Sequence, residues 1–338
     1  MWYQNLLEKN LIPDPLIRQA IRYYNRAHLA RLRRKPSRAV DLLPALRQSP
    51  LAAVPEKANQ QHYEVPAAFF ERMLGPHLKY SCGFWPDGCS SLEASEAAML
   101  ALSCERATLA RGQEILELGC GWGSLSLYMA QRYPDSRITA LSNSHSQRQF
   151  IEARARERGL NNLRVITADI NHFEPEQGFD RIVSVEMFEH LRNYPEMFAR
   201  LNRWLNPGGR VFLHIFGHRE YAYLFEVEHD RDWMARYFFS GGTMPSRDLF
   251  LQCCQPLIFR QLWEVSGQHY QQTCEAWLQR LDQQAEQIMP LLRQTYGAGQ
   301  ELRWWVYWRV FVLACAELFG HARGSQWQIY HYLFEKQP

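Results

Sequence analysis

The sequence changes texture at residue 114, and that change limits the fold more than any other feature. From there, short apolar segments alternate with helical patterns: Ile115–Leu118, a helix from Ser124, Arg137–Leu141, a helix from Ser146, Leu163–Thr167, Arg181–Val185, a helix to Leu205, and Arg210–Phe216. Strands separated by helices cannot pair as hairpins, so the pattern predicts a parallel sheet covered on both faces. Asn206-Pro-Gly-Gly209 reads as a turn between the last helix and its strand. Two further strand-like segments, Leu257–Val265 and Trp327–Phe334, flank long helical stretches and complete the sheet. Ligand sites in such sheets lie at the carboxyl ends of the strands.

One of those ends carries Glu117-Leu-Gly-Cys-Gly-Trp-Gly123, which closes the first strand and opens a helix. Glycines at alternate positions let the backbone turn tightly and approach a ligand closely. A dinucleotide loop is spaced GxGxxG and is followed, about 20 residues on, by a carboxylate for the ribose. Here the spacing is GxGxG, and the second strand ends in Leu141-Ser-Asn143 without a carboxylate. The loop is similar to that of class I S-adenosylmethionine methyltransferases. A sulfonium and an ammonium, unlike a pyrophosphate, are attracted by an acid such as Glu117. Gly119, Gly121 and Gly123 are therefore expected to bind the cofactor with Glu117. Asn143 and Gln147 stand in for the missing ribose acid, since an amide both donates and accepts. Asp169 and Ile170, in Thr-Ala-Asp-Ile170, fall where that fold places the adenine contact.

A second cluster, Val185-Glu-Met-Phe-Glu-His190, follows the fourth strand. On a helix Glu186, Glu189 and His190 would share one face at i, i+3 and i+4. Two carboxylates and an imidazole at that spacing have coupled titrations, can hold a cation, and can accept its proton. The same acids also suit an ordinary helix start.

The rest of the chain sets the boundaries. Residues 1–110 read as an N-terminal helical cap and cofactor-closing segment, 111–217 as the core, 218–256 as a polar and aromatic insertion covering substrate, and 257–338 as the part completing sheet and pocket. In the first helix Leu16, Ile17, Ala20, Ile21, Tyr24, His28 and Leu32 recur at helical spacing. Pro36, Pro44, Pro50 and Pro55 mark a loop-rich link. Between Leu16 and Arg38 lie eight basic residues and no acid, which leaves the remainder of this +3 chain net negative. Such a body is not built to neutralise nucleic-acid phosphate. The basic helix could touch an anionic membrane, but a solvated face is favoured. The eight cysteines show no CxxC pair or zinc spacing, so no metal site is expected. Without an apolar leader the expected location is cytoplasmic. His214 and His218, at i, i+4, are read as straddling a strand end.

From Tyr63 to Phe334 the chain resembles the cyclopropane-fatty-acid-synthase superfamily of methyltransferases and, within it, the plant coclaurine N-methyltransferase group. The segments that carry the likeness are Tyr80-Ser-Cys82, Leu116 to Leu127, Glu186-Met-Phe-Glu-His190, Asp232-Trp233, Arg236-Tyr-Phe-Phe-Ser-Gly-Gly-Thr-Met-Pro-Ser246, Gly267-Gln-His-Tyr270, Tyr307-Trp-Arg309 and Ala316-Glu-Leu-Phe-Gly320. The resemblance implies an α/β fold: a class I Rossmann-like sheet with an N-terminal helical cap and a substrate-covering insertion. It implies S-adenosylmethionine as cofactor and a small aromatic amine, such as a tetrahydroisoquinoline or arylalkylamine, as substrate. Tyr80 and Ser81 are implied as cofactor contacts, and Glu186, Glu189 and His190 as the residues that orient and deprotonate the amine. Lipid-modifying relatives bind bicarbonate as base through a cysteine, a glutamate, a histidine and a tyrosine. Cys82, Glu189 and His214 match the first three positions, but Phe311 replaces the tyrosine, and those relatives carry glycine where Glu186 stands. Both departures favour amine methylation over an acyl-phospholipid substrate. Trp233, Tyr237, Phe238, Phe239 and Trp305, with His214, are the candidate substrate residues, since aromatic faces attract cations.

Overall fold

Five strands form a parallel sheet: β1 (Glu114–Leu118), β2 (Arg137–Ser142), β3 (Leu163–Thr167), β4 (Phe179–Val185) and β5 (Leu205–His218). Their apolar runs suit burial on both faces. Two short strands, β6 (Tyr223–Leu224) and β7 (Thr243–Met244), pair separately in the insertion. An antiparallel pair, β8 (Ile258–Val265) and β9 (Trp327–Glu335), completes a seven-stranded sheet of order β3-β2-β1-β4-β5-β9-β8. The structure, a computed structural model, describes residues 2–52, 65–227 and 233–337. Pro55, Tyr63 and Asp232 lie outside the described residues.

The contacts divide the chain into two compact units. The sheet unit comprises residues 37–63, 98–265 and 328–338. Local chemistry starts its helices. Ser144 Oγ accepts the Gln147 N–H at the head of helix His145–Glu157, and Asn193 caps Tyr194–Trp204 through the Glu196 N–H. One sheet face buries Phe188, Tyr194, Phe198, Phe250, Tyr332 and Phe334 together. The other packs Phe212 and Leu333 against Leu100 and Cys104 of helix Leu92–Arg106 and against Ala107 just after it. Each such aromatic ring removes about 150–250 Å² from water, which makes these clusters a main source of cohesion.

Three expectations need correction. The Asn206–Gly209 turn lies inside β5 as a bulge: Leu205 pairs with Phe179 and Arg210 with Arg181, so the intervening residues loop out, with Gly208 at φ 70°. Pro44 sits within helix Ala39–Arg47 and does not mark a loop. His214 and His218 both belong to β5 and do not straddle its end.

The second unit comprises residues 1–36, 64–97 and 266–327. Its long helices are Asp14–Arg34, Gly267–Gln283, Ala285–Tyr296 and Glu301–Phe319. In Asp14–Arg34 the buried line is Ile17, Leu29 and Leu32, while Leu16, Ala20 and Tyr24 face out, which corrects the expected apolar stripe. Arg18 bridges Glu275 and Glu317 at 2.7 and 2.9 Å, and Arg22 binds Glu317 at 2.6 Å. Part of the basic face is thus neutralised within the unit. Among the described residues no helix is long and apolar enough to cross a membrane.

Candidate active site

The glycine turn sits where β1 ends. Gly119, Gly121 and Gly123 have φ of 75°, 52° and 81°, the left-handed region that other residues enter only with strain. The N–H groups of Gly119 and Cys120 both donate to Leu141 O, which ties the turn to the end of β2. A side chain on Gly119 would meet Met187 Cγ at 2.5 Å, and one on Gly123 would meet Ile151 Cγ1 at 2.6 Å. One on Gly121 would meet nothing within 4 Å. The middle glycine therefore faces open space between two packed neighbours, as a loop that receives a ligand requires.

Met187 stands between Glu186 and Glu189, so its contact with Gly119 sets the acid cluster against the glycine turn. The cluster is not a helical face. Glu186 has φ 48°, and only Phe188–His190 form a single 3-10 turn. The Glu186 N–H donates to His214 O on β5, a regular ladder bond at the end of the β4–β5 pair, and there the backbone makes its left-handed turn. It separates the two carboxylates. Glu186 Oε1 lies 3.2 Å from His214 Nε2, whereas Glu189 Oε1 accepts the Phe216 N–H at 2.6 Å. Glu189 is fully buried, and its Oε2 has no hydrogen-bond partner among the described residues. Burial, and then the charge of Glu186, push its carboxyl well above the usual range. His190 is half-buried, its ring 4.8 Å from that of Phe239.

The other expected cofactor residues gather along the same sheet edge. Glu117 is buried at the penultimate position of β1 and accepts a hydrogen bond from Ser126 Oγ. Asn143 directly follows β2. Buried Gln147 accepts from Ser142 Oγ at 2.6 Å, while its Nε2 has no partner among the described residues. Ser124 Oγ and Thr167 Oγ1, after the glycine turn and at the end of β3, are likewise buried without one. Three unpartnered polar groups around one edge fit a bound polar molecule, since buried groups otherwise find partners. Asp169 holds the Asn171 backbone and side-chain N–H at 2.9 and 3.0 Å, and Ile170 is buried beside it.

The insertion brings part of its aromatic set to the acids. Phe239 lies within 4.8 Å of both the His190 and Phe225 rings and 5.7 Å from Phe216. Trp233 packs on Tyr237 and on Phe238, which is fully buried. Tyr80 and Ser81 belong to the other unit, where Tyr80 packs between Phe70 and Trp277 and Ser81 accepts from buried Lys79. Trp305 is buried, with the Arg309 guanidinium over one face of its ring at 4.9 Å. His218 Nδ1 accepts two backbone N–H groups, from Glu220 and Tyr221. Among the described residues no three His, Cys, Asp or Glu are placed to hold a metal.

Sequence reasoning missed His331 and Arg106. His331 Nε2 lies 2.9 Å from His214 Nδ1, and Arg106 Nη1 lies 2.8 Å from His331 Nδ1. The one available signal was a histidine in the otherwise apolar centre of β9, Trp327-Gln-Ile-Tyr-His-Tyr-Leu-Phe-Glu335.

The family described as mycolic acid cyclopropane synthetase matches residues 53–329. The chain is similar to (S)-coclaurine N-methyltransferase of Thalictrum flavum subsp. glaucum, with 37% identity over 98% of this chain and 94% of that one. It is similar to the cyclopropane-fatty-acyl-phospholipid synthase of Escherichia coli K12, with 34% identity over 80% of this chain and 66% of that one. A crystal structure of coclaurine N-methyltransferase bound to N-methylheliamine and SAH superposes with a TM-score of 0.93 and 36% identity, covering 98% of both chains.

Proposed function

The chain belongs to the mycolic acid cyclopropane synthetase family of S-adenosylmethionine-dependent methyltransferases, and from that premise we propose that it methylates the nitrogen of a small aromatic amine of the tetrahydroisoquinoline or arylalkylamine class. The observation that carries this reading is the placement of Glu186, Glu189 and His190 against the glycine turn through Met187.

S-adenosylmethionine supplies an electrophilic methyl group on a sulfonium. Gly119, Gly121 and Gly123 with Glu117, Asn143, Gln147, Asp169 and Ile170 would hold it, and the unpartnered Gln147 Nε2 fits a ribose hydroxyl. Tyr80 and Ser81 keep the role of cofactor contacts that the resemblance implies. The chain's own chemistry concerns the amine. An alkyl amine with a pKa near 10.4 arrives protonated, and freeing its lone pair at neutral pH costs roughly 4–5 kcal/mol. Glu186 binds the ammonium. The Glu189 and His190 pair takes its proton, a base contribution of about 10²–10⁴-fold. Phe239 and the neighbouring rings of the insertion orient the amine for in-line attack.

All eight cysteines are free thiols, which fits a cytoplasmic setting. An acyl-phospholipid substrate is the second reading, favoured by the family match itself.

Incubation with labelled S-adenosylmethionine and, in parallel, (S)-coclaurine, phenethylamine or unsaturated phospholipid vesicles decides between them. N-methylated amine is the expected product. Label confined to acyl chains would overturn the amine reading.

A further inference from the structure

β5 and β9 are neighbours in the sheet, and His214 of β5 and His331 of β9 lie on the face covered by helix Leu92–Arg106. His214 lies two residues from Phe212, and His331 two residues from Leu333, so alternation puts all four on one side. Both histidines are fully buried, and the Glu186 side chain is 7% exposed. Their polar atoms form an unbroken chain. Arg106 Nη1 lies 2.8 Å from His331 Nδ1, His331 Nε2 lies 2.9 Å from His214 Nδ1, and His214 Nε2 lies 3.2 Å from Glu186 Oε1. The far end is held by Trp263, whose ring lies 5.1 Å beneath the guanidinium and which pairs with His331 across β8 and β9.

Chemistry sets the direction of every hydrogen in this chain. A guanidinium offers donors only and stays protonated in proteins. His331 Nδ1 therefore accepts, and its ring proton sits on Nε2. That N–H donates to His214 Nδ1, so the His214 proton sits on Nε2 and points to the Glu186 carboxylate. A second proton on His214 would fall on Nδ1, directly against the N–H of His331.

We propose that Arg106 and His331 are positioning residues for Glu186: acting through His214, they aim its carboxylate and keep His214 a neutral donor that cannot take the substrate's proton. The proposal rests on the reading of Glu186 as the ammonium-binding carboxylate. The proton leaving the amine is thereby directed to Glu189 and His190, while His214 keeps its own. Glu186 approaches the amine with one oxygen already hydrogen-bonded, and hence with its orientation set before substrate arrives.

The direct test is long-range proton–nitrogen correlation NMR on the wild-type protein labelled with ¹⁵N-histidine, with His214 and His331 assigned from H214Q and H331Q. Both rings are expected as neutral Nε2–H tautomers at neutral pH. An Nδ1–H tautomer or an imidazolium at either position overturns the proposal. Kinetics with S-adenosylmethionine and (S)-coclaurine supply the second test. H331F and R106M are expected to lower kcat by about 10-fold or more, with affinity for S-adenosylhomocysteine retained. H331Q, which keeps a donor towards His214, is expected to stay within about 3-fold of wild type. Equal losses in H331F and H331Q would reduce the chain to a packing role. Failure of the wild-type protein to methylate any amine would instead remove the functional reading, and the tautomers would still judge the relay.

Discussion

Glu189 and Phe216 are joined by a 2.6 Å hydrogen bond from the backbone N–H of Phe216 to the Glu189 carboxylate, which anchors the acid that follows β4 to β5 beside it. The bond fixes the Glu189 side chain, while burial and the neighbouring Glu186 charge favour its neutral form. A base must be ionised to act, so kcat/KM should rise with pH along a limb above the ordinary carboxylate range. Removing the like charge in E186Q lowers the Glu189 pKa, so the limb should move to lower pH even as the rate falls. A limb that stays in place in E186Q would show that Glu189 is not the group being titrated.

The glycine turn offers a paired comparison. In G121A the new methyl meets open space, so the cost to folding is left-handed strain of about 1–2 kcal/mol. In G123A it meets Ile151 as well, and stability should fall further. Cofactor affinity, read by calorimetry with S-adenosylhomocysteine, should drop about 10-fold or more in G121A. Unchanged affinity there would mean that the ligand does not cross the turn at its centre.

Glu96 makes stability depend on pH. It is fully buried, accepts the N–H groups of Gly75 and His77 at 3.0 Å, and has its carboxyl pushed up to about 7, chiefly by burial. A folded-state pKa above the unfolded value means full stability below about pH 4.5 and a progressive loss as pH rises through about 7. The loss amounts to about 3 kcal/mol, order of magnitude only. E96Q abolishes this dependence. Its unfolding free energy relative to wild type, measured in urea, should therefore grow between about pH 5 and about pH 8. A constant difference would contradict the assignment.

Arg309 ties helix Glu301–Phe319 to Asp14 at 2.8 Å and to Asp282 at 2.6 Å, with its own side chain 8% exposed. R309M leaves two acids without their shared cation. Because both acids are partly in water, the expected loss is about 2–3 kcal/mol, below that of a fully buried pair. Urea midpoints measure it. If R309M proves as stable as wild type, the triad has no role in holding the second unit together.

Local rules anticipated much of the fold. Apolar strands broken by helices led to β1, β2 and β3 within one residue at each end, and the Gly-Cys-Gly-Trp-Gly run located the turn. At β5 the Asn-Pro-Gly-Gly signal was sound turn chemistry, but the neighbouring strand absorbed it as a bulge. The acid cluster was found as a set of residues and misread in shape. Helical spacing implied one shared face, whereas the chain leaves β4 through a left-handed turn at Glu186, and the two carboxylates go to different partners.

Chain-neighbour chemistry thus suffices for the strand–helix alternation, the glycine turn and the identity of the acids, because each depends on residues a few positions apart. The environment of those acids arises from sheet order instead. Arg106 and His331 are 225 positions apart, and His331 and His214 are 117 apart. Only the lateral placement of β9 beside β5 and beneath helix Leu92–Arg106 brings them into one hydrogen-bonded line. No periodicity records that contact, because burial and hydrogen-bond direction are properties of packed neighbours and not of residues adjacent in the chain.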